Sequence, residues 1–377
     1  MSDIAAYVDG LGLVDHHCHG VVSADLDLAG FEGFATESSW PSPFGGSNFD
    51  TPFGVAVRAL CAPLLDLPKH SSGAAYVARR SELGPEEVNR RLLGATGIDT
   101  YIIETGVGGS ELLGAAEIGA ATGAAHREVH RLEVIAERLL EQVGGGDEFV
   151  TRLTDRLDES AAVAVGFKSV VAYRHGLDFD PARPGLADVR RAADAVVARR
   201  TDGARVRLTD ETIIRHLLWE AVDRRRPLQF HVGYGDSDID LYRCDPSRMT
   251  EFIRRTVGTG TAITLLHCYP FQREAAFLAQ VYPHVYLDTG AAVNYTGFGS
   301  AQVVRESLEL APFNKVLFST DAYGLPELYL CGSLLWRRAV TRIFSAWVDA
   351  DEMGAGDAVR YLDLIASGNA QNVYADV

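Results

Sequence analysis

Eight short apolar runs, each separated from the next by enough chain for a helix, constrain this sequence more than any other feature. The first is Leu11–Gly20, read Leu-Gly-Leu-Val-Asp-His-His-Cys-His-Gly. The others are Asp99–Thr105, His126–Ala136, Ala162–Val171, Pro227–Val232, Ala262–His267, His284–Asp288 and Lys315–Asp321. Helices are expected from the end of the third run to about Val143, over Asp147–Ser160, near residues 187–200 and 210–224, and over Arg273–Val281, Ala301–Ala311 and Leu335–Trp347. Strand and helix alternating eight times indicate an α/β fold of the (β/α)8 TIM-barrel type. Such a barrel commonly reaches this length as one unit, so residues 1–377 are read as a single domain.

The interval after the first strand is the exception to this spacing. Residues 21–98 carry Phe31, Phe34, Trp40, Phe44, Phe49 and Phe53 among Gly, Pro and Ser. In Trp40-Pro-Ser-Pro-Phe-Gly-Gly-Ser-Asn48 the prolines and paired glycines interrupt both helical and strand patterns. The segment is therefore an aromatic-rich insertion, placed as a lid over the barrel mouth, with helices over Val55–Leu67 and Pro85–Ala95. The second of these opens on Pro and two Glu, which suit the positive end of a helix dipole.

Composition narrows the function classes. A net charge of −16 repels polyphosphate, which argues against nucleic acid as a partner. No run of about twenty apolar residues is present, and the start lacks a basic segment leading into an apolar one, so neither a membrane partner nor a signal peptide is expected. Five scattered cysteines, Cys18, Cys61, Cys244, Cys268 and Cys331, form no CxxC pair and fit reduced thiols in the cytoplasm. A small-molecule substrate is the expected partner, and homo-oligomerisation is left open.

The polar residues at the run ends carry the chemistry. Alternation along the first strand puts His17 and His19 on one face and Cys18 on the other, so two imidazoles converge. Lys168, His231, His267 and Asp321 likewise close apolar runs, at the end of the barrel where active sites lie. Imidazoles with a carboxylate suit Zn, Mn or Fe better than Ca or Mg, and a dication would offset the cost of burying Asp321. Arg174 and Arg273 lie just past run ends and are shaped for a substrate carboxylate. Tyr173, Tyr234 and Tyr269 are candidate hydrogen-bonding partners of the substrate, and Glu37 and Glu104 are candidate mouth residues. Gly106-Val-Gly-Gly109 lacks the Lys-Ser or Lys-Thr ending of a phosphate loop and is rejected as one.

These residues resemble a known family. Asp15-x-His17-x-His19, a His closing the fifth run, a His closing the sixth and Ser-Thr-Asp at the eighth are similar to the amidohydrolase superfamily along nearly the whole chain. Phe34-Ala-Thr-Glu-Ser38, Gly166-Phe-Lys-Ser-Val-Val-Ala-Tyr-Arg174, His231-Val-Gly-Tyr-Gly-Asp236, Leu266-His-Cys-Tyr-Pro270 with Arg273-Glu274, and Asp321-Ala-Tyr-Gly-Leu-Pro-Glu-Leu328 look like its amidohydrolase-2 branch. Within that branch they most resemble the FluG and nodulin-like domain that is sometimes fused to a glutamine-synthetase domain. The sequence closes after Gly368-Asn-Ala-Gln-Asn372, and no synthetase domain is expected in it.

The resemblance implies that His17, His19, His231 and Asp321 hold one metal ion, Zn before Mn or Fe. A second ion would use His267 and a carboxylated Lys168; one ion is preferred. It also implies Asp321 as the base for water, His267 as the group that polarises the carbonyl or protonates the leaving group, and Lys168 beside them. The implied reaction is hydrolysis of a C–N amide bond in a small carboxylate-bearing substrate, with a γ-glutamyl amide as the specific expectation. The alternative is non-oxidative decarboxylation of an aromatic or unsaturated acid. A third reading, a scaffold protein retaining the barrel, predicts no bound metal.

Overall fold

The computed structural model describes residues 2–106, 108, 111–201 and 203–374. Seven parallel strands pair in sequence order: β1 (Leu13–Cys18), β2 (Ile98–Glu104), β3 (Ala125–Arg131), β4 (Gly166–Ser169), β5 (Leu228–His231), β6 (Ile263–Leu266) and β7 (Val285–Leu287). The eighth run closes the ring without becoming a regular strand. Leu317 N donates to Leu287 O at 2.9 Å, His16 N to Phe318 O at 3.2 Å and Asp321 N to His17 O at 3.0 Å. Its ladder breaks because Thr320 N bonds the Asp15 carboxylate, at 3.0 Å, in place of a backbone carbonyl. Asp321 then takes a left-handed φ of 50°. The result is a (β/α)8 barrel.

Strands covered on both faces need near-continuous apolar residues, and β1 and β4–β6 are buried at every position. The outer helices bury single stripes: Phe149, Leu153 and Leu157 recur every four residues along Gly146–Val163. Val14, Ile102, Val129, Val165 and Leu317 fill the barrel floor together with Ala370 and Tyr374, which belong to and cap the helix Asn369–Val373.

Two strand boundaries differ from the sequence reading. The third run ends at Arg131, and Leu132–Leu140 is a helix, because Leu132, Ala136, Leu139 and Leu140 follow a helical period. In the fourth, Ala162 and Val163 are still the last turn of a helix, and Val171–Arg174 forms one helical turn. A continuous apolar run such as Ala162–Val165 has no period to separate the two states.

The insertion is more helical than expected. Leu28–Phe34 and Gly73–Leu83 are additional helices, and the expected Val55–Leu67 helix runs over Pro52–Leu60 before tightening into a 3₁₀ turn at Ala62–Leu65. Its start is fixed by Pro52 in the first turn and by the Thr51 hydroxyl, which accepts from Gly54 N at 3.0 Å. Phe31 stacks on Phe49 with ring centroids 4.9 Å apart, and Tyr76 packs edge-on against both. Val107 and Gly109 of the rejected glycine run lie outside the described residues. Among the described residues, no helix is long and apolar enough to cross a membrane.

His284 Nε2 lies 3.0 Å from Thr256 Oγ1, and burial, reinforced by Lys315, lowers the imidazole pKa from 6.5 to about 4. The unfolded chain takes up this proton near 6.5 and the folded chain only near 4, so stability is intact above pH 6.5 and falls as the pH drops towards 4. Allowing for its partial exposure, His284→Gln is expected to remove about 1 kcal/mol of the stability lost between pH 7 and 5, as read by urea unfolding at both values.

Candidate metal centre and active site

The strand ends bring His17, His19, His267 and Asp321 to one point. Asp321 Oδ1 lies 3.2 Å from both His17 Nε2 and His19 Nε2, and Oδ2 lies 3.1 Å from His267 Nδ1. The ligand atoms of His17, His19 and Asp321 all fall within 4.8 Å of one another. Cys18 points the other way, its thiol donating to Ile102 O at 3.6 Å, as alternation requires. The His231 ring stands 4.7 Å from that of His267, and Lys168 Nζ is 3.3 Å from His17 Nε2.

Backbone geometry at two of these positions is unusual. His267 and Asp321 both adopt left-handed φ, 70° and 50°. For side chains bearing a Cβ this conformation costs of order 1–3 kcal/mol and persists only where surrounding bonds enforce it. At His267 the enforcing group is Asp288, whose Oδ1 accepts from His267 N at 2.7 Å and from Gly290 N at 2.9 Å.

The electrostatics suit a cation. Burial, with Lys168 adding to it and Asp321 opposing, lowers His17 to about 4. Burial likewise holds His231 and His267 well below the ordinary imidazole range, so the rings are neutral at pH 7, the form that binds metal. Burial would raise Asp321, but the neighbouring His267, His17 and His19 outweigh it and keep the carboxylate ionised. Lys168 is brought down to about 8, chiefly by burial.

Two observations test whether a metal fits. His231 Nε2 is buried with no hydrogen-bond partner, a loss that a bound ion would make good. Gly235 keeps the space beside it open, since a Cβ there would come within 2.9 Å of His231 Nε2 and 2.3 Å of the Tyr173 hydroxyl. A divalent ion held by imidazoles and one carboxylate fits this donor set.

A cavity of about 390 Å³ opens above these residues. Arg131, Lys168, Tyr173, Arg174 and Tyr234 line it, together with Glu37, which burial and then Asp321 raise to about 7. Arg174 keeps an ion pair with Glu137 at 3.1 Å.

Two expected substrate contacts are corrected. Glu104 is 1 % exposed and lies behind His19, with Oε2 3.4 Å from His19 Nδ1, in an ion pair with Arg131. It backs His19 and does not face the mouth. Arg273 is 60 % exposed on the helix Gln272–Val281 and pairs with Glu309 at 2.8 Å and Glu306 at 3.3 Å. The first helical turn after β6 points it outwards to a neighbouring helix. Arg273→Ala is therefore expected to leave kcat/KM within about twofold and stability within about 0.5 kcal/mol. Arg174→Ala should raise KM about tenfold or more by removing a partly buried guanidinium from the cavity wall. Steady-state kinetics on the two variants makes the comparison.

Arg131 and Gln229 escaped the sequence reading. Arg131 is the last residue of β3, a ligand-type position hidden by reading that strand five residues too long. Gln229 sits inside an apolar strand, and a buried amide there is the signal that was available.

Known proteins share this fold and parts of this sequence. A protein from Lactobacillus casei assigned as a metal-dependent hydrolase superposes with a TM-score of 0.84 at 25% identity, over 99% of this chain and 98% of that one. A uronate isomerase from Thermotoga maritima shares the fold at a TM-score of 0.64 and 13% identity, over 98% and 96% of the two chains. The curated protein fluG of Emericella nidulans is 28% identical over 285 residues, which are 67% of this chain and 32% of that protein, so the chain spans about a third of its relative's length. The amidohydrolase family model Amidohydro_2 matches residues 114–374, from just before β3 to the floor tyrosine. A match of that extent, on a barrel whose strand ends gather imidazoles around one carboxylate, places the chain in the amidohydrolase family of metal-dependent hydrolases.

Proposed function

We propose that this protein hydrolyses the C–N bond of a small carboxylate-bearing amide, with γ-glutamyl amides as the first class to test, and that His17, His19, His231 and Asp321 hold one divalent ion, Zn before Mn or Fe. The observation that carries the reading is the placement of Asp321, whose two oxygens lie 3.1–3.2 Å from three imidazoles at the base of an open cavity. Bound there, the ion supplies Lewis-acid polarisation and makes water a nucleophile near neutral pH.

The chain's own groups supply the rest. Asp321, kept ionised by its imidazole neighbours, accepts a proton as water adds to the acyl carbon. His267, 3.1 Å from the same carboxylate, polarises the carbonyl, or relays that proton to the departing nitrogen, which Asp321 otherwise delivers itself, as the C–N bond breaks. Lys168, with a pKa of about 8, is mostly cationic at pH 7 and offers its charge to the carbonyl oxygen. A second ion would require Lys168 to be carboxylated instead. Arg174 and Tyr234 bind the substrate from the cavity wall, with Arg131 joining Arg174 at the carboxylate. The cytoplasm as compartment belongs to the same proposal and is supported by five unpaired cysteines.

Incubation of the zinc-loaded protein with γ-glutamyl amides tests the reading. Release of free amine in step with a new carboxylate supports it. Carbon dioxide released from aromatic or unsaturated acids, with no amine from any amide, would replace it with decarboxylation.

A further inference from the structure

Beneath the ligands lies a set of hydrogen bonds in which one backbone carbonyl fixes the orientation of a buried amide. Gln229, two residues before His231 on β5, places Nε2 3.0 Å from His16 O and 2.8 Å from the Tyr374 hydroxyl. Its Oε1 lies 2.9 Å from His17 Nδ1. A backbone carbonyl only accepts, so the amide atom facing His16 O is the nitrogen; the flipped amide would set two acceptors against each other inside the barrel. Oε1 then faces His17, and His17 Nδ1 must carry the hydrogen. In a neutral imidazole this leaves Nε2 with its lone pair, which accepts from Lys168 Nζ at 3.3 Å and, with Asp321 Oδ1 3.2 Å away, faces the point a dication would occupy.

Tyr374 locks the amide from below. His16 Nε2 lies 2.7 Å from Asp288 Oδ2, an acceptor, so it donates there, and in the neutral ring His16 Nδ1 is left to accept. The Tyr374 hydroxyl, 3.1 Å from that nitrogen, donates to it and keeps a lone pair for the Gln229 amide. Asp288 is also the carboxylate that holds the His267 backbone. One phenol in the barrel floor therefore orders two branches, one ending at His17 and the other at His267.

We propose that Gln229 and Tyr374 are positioning residues that hold His17 in the Nδ1–H tautomer, with Nε2 presented to the metal. The inference rests on His17 being a ligand, and not on which bond the enzyme breaks. A bond to the second nitrogen of a ligating histidine fixes its tautomer and orientation, and losing it typically weakens metal binding 10–100-fold.

The experiment is zinc titration of the full chain against a chromophoric chelator, with ¹⁵N-histidine NMR of the metal-free protein to read the tautomer. Gln229→Leu is expected to raise the zinc dissociation constant about 10–100-fold and to populate the Nε2–H form of His17. Tyr374→Phe keeps the ring that packs the floor, so it tests the hydroxyl even if Gln229→Leu does not fold; a rise of about threefold or more is expected. Wild-type His17 in the Nε2–H form, or zinc binding unchanged within about twofold in the folded variants, would overturn the proposal. A purely structural role would lower the melting temperature with tautomer and zinc affinity unmoved. Altered zinc binding in a protein that cleaves no amide would sink the proposed reaction and leave this inference standing.

Discussion

Asp321→Asn is expected to lower kcat by at least about a thousandfold, a larger effect on turnover than any substitution in the cavity wall. Asparagine keeps the shape of the side chain but cannot take a proton, and general-base removal typically costs 10²–10⁴-fold. It also withdraws a negative charge from a point that His17, His19 and His267 approach within 3.1–3.2 Å, which weakens the hold on a dication. Both losses act in the same direction. KM should change far less, because the cavity walls proposed to bind the substrate come from the ends of β3 and β4 and the loop after β5. Rapid-quench or steady-state kinetics at saturating zinc separates the two losses: whatever zinc restores belongs to affinity, and the remainder belongs to proton transfer. A variant retaining more than about a tenth of wild-type kcat would remove Asp321 from the chemistry.

Arg80→Met is the substitution expected to cost most in stability, about 3–5 kcal/mol. Arg80 Nε donates to Glu327 Oε1 at 2.7 Å, with side-chain exposures of 6 % and 0 %, and the Tyr76 hydroxyl donates to the same oxygen at 2.8 Å. Removing the guanidinium leaves a carboxylate buried against one phenol. The pair joins helix Gly73–Leu83 of the insertion to helix Pro326–Asp349 behind the eighth strand position, so it bears on domain organisation. We propose that insertion and barrel unfold as one domain: the Arg80→Met transition shifts as a whole, and Arg80→Met with Glu327→Gln recovers part of the loss because no unpaired charge remains. Two transitions, only the earlier of them moved, would mark the insertion as a separate unit.

How much of this was legible in the sequence depends on where each residue's partners come from. His17, His19, His231, His267 and Asp321 were readable because each closes an apolar run, and a barrel brings the ends of all its strands to one rim. Arg273 follows such an end too, but a helix begins there, and its rotation carried the side chain to Glu306 and Glu309 on the outer layer. No local pattern encodes that turn. Glu104 also closes a strand, yet the Arg131 guanidinium one strand along draws it behind His19. Gln229 and Tyr374 are 145 residues apart, and only the closed barrel shows that they share a hydrogen bond. The eighth strand was placed correctly by its apolar run, while its irregular backbone follows from Asp15 taking the Thr320 amide, a contact spanning 305 residues.

Metal content of the purified chain, measured by elemental analysis beside the His19→Ala and Asp321→Ala variants, tests the central claim most directly. About one divalent ion per chain in the wild type and well under half of that in both variants is the predicted result. Equal metal in all three proteins, or full amide hydrolysis by wild-type protein stripped of metal with a chelator, would contradict it.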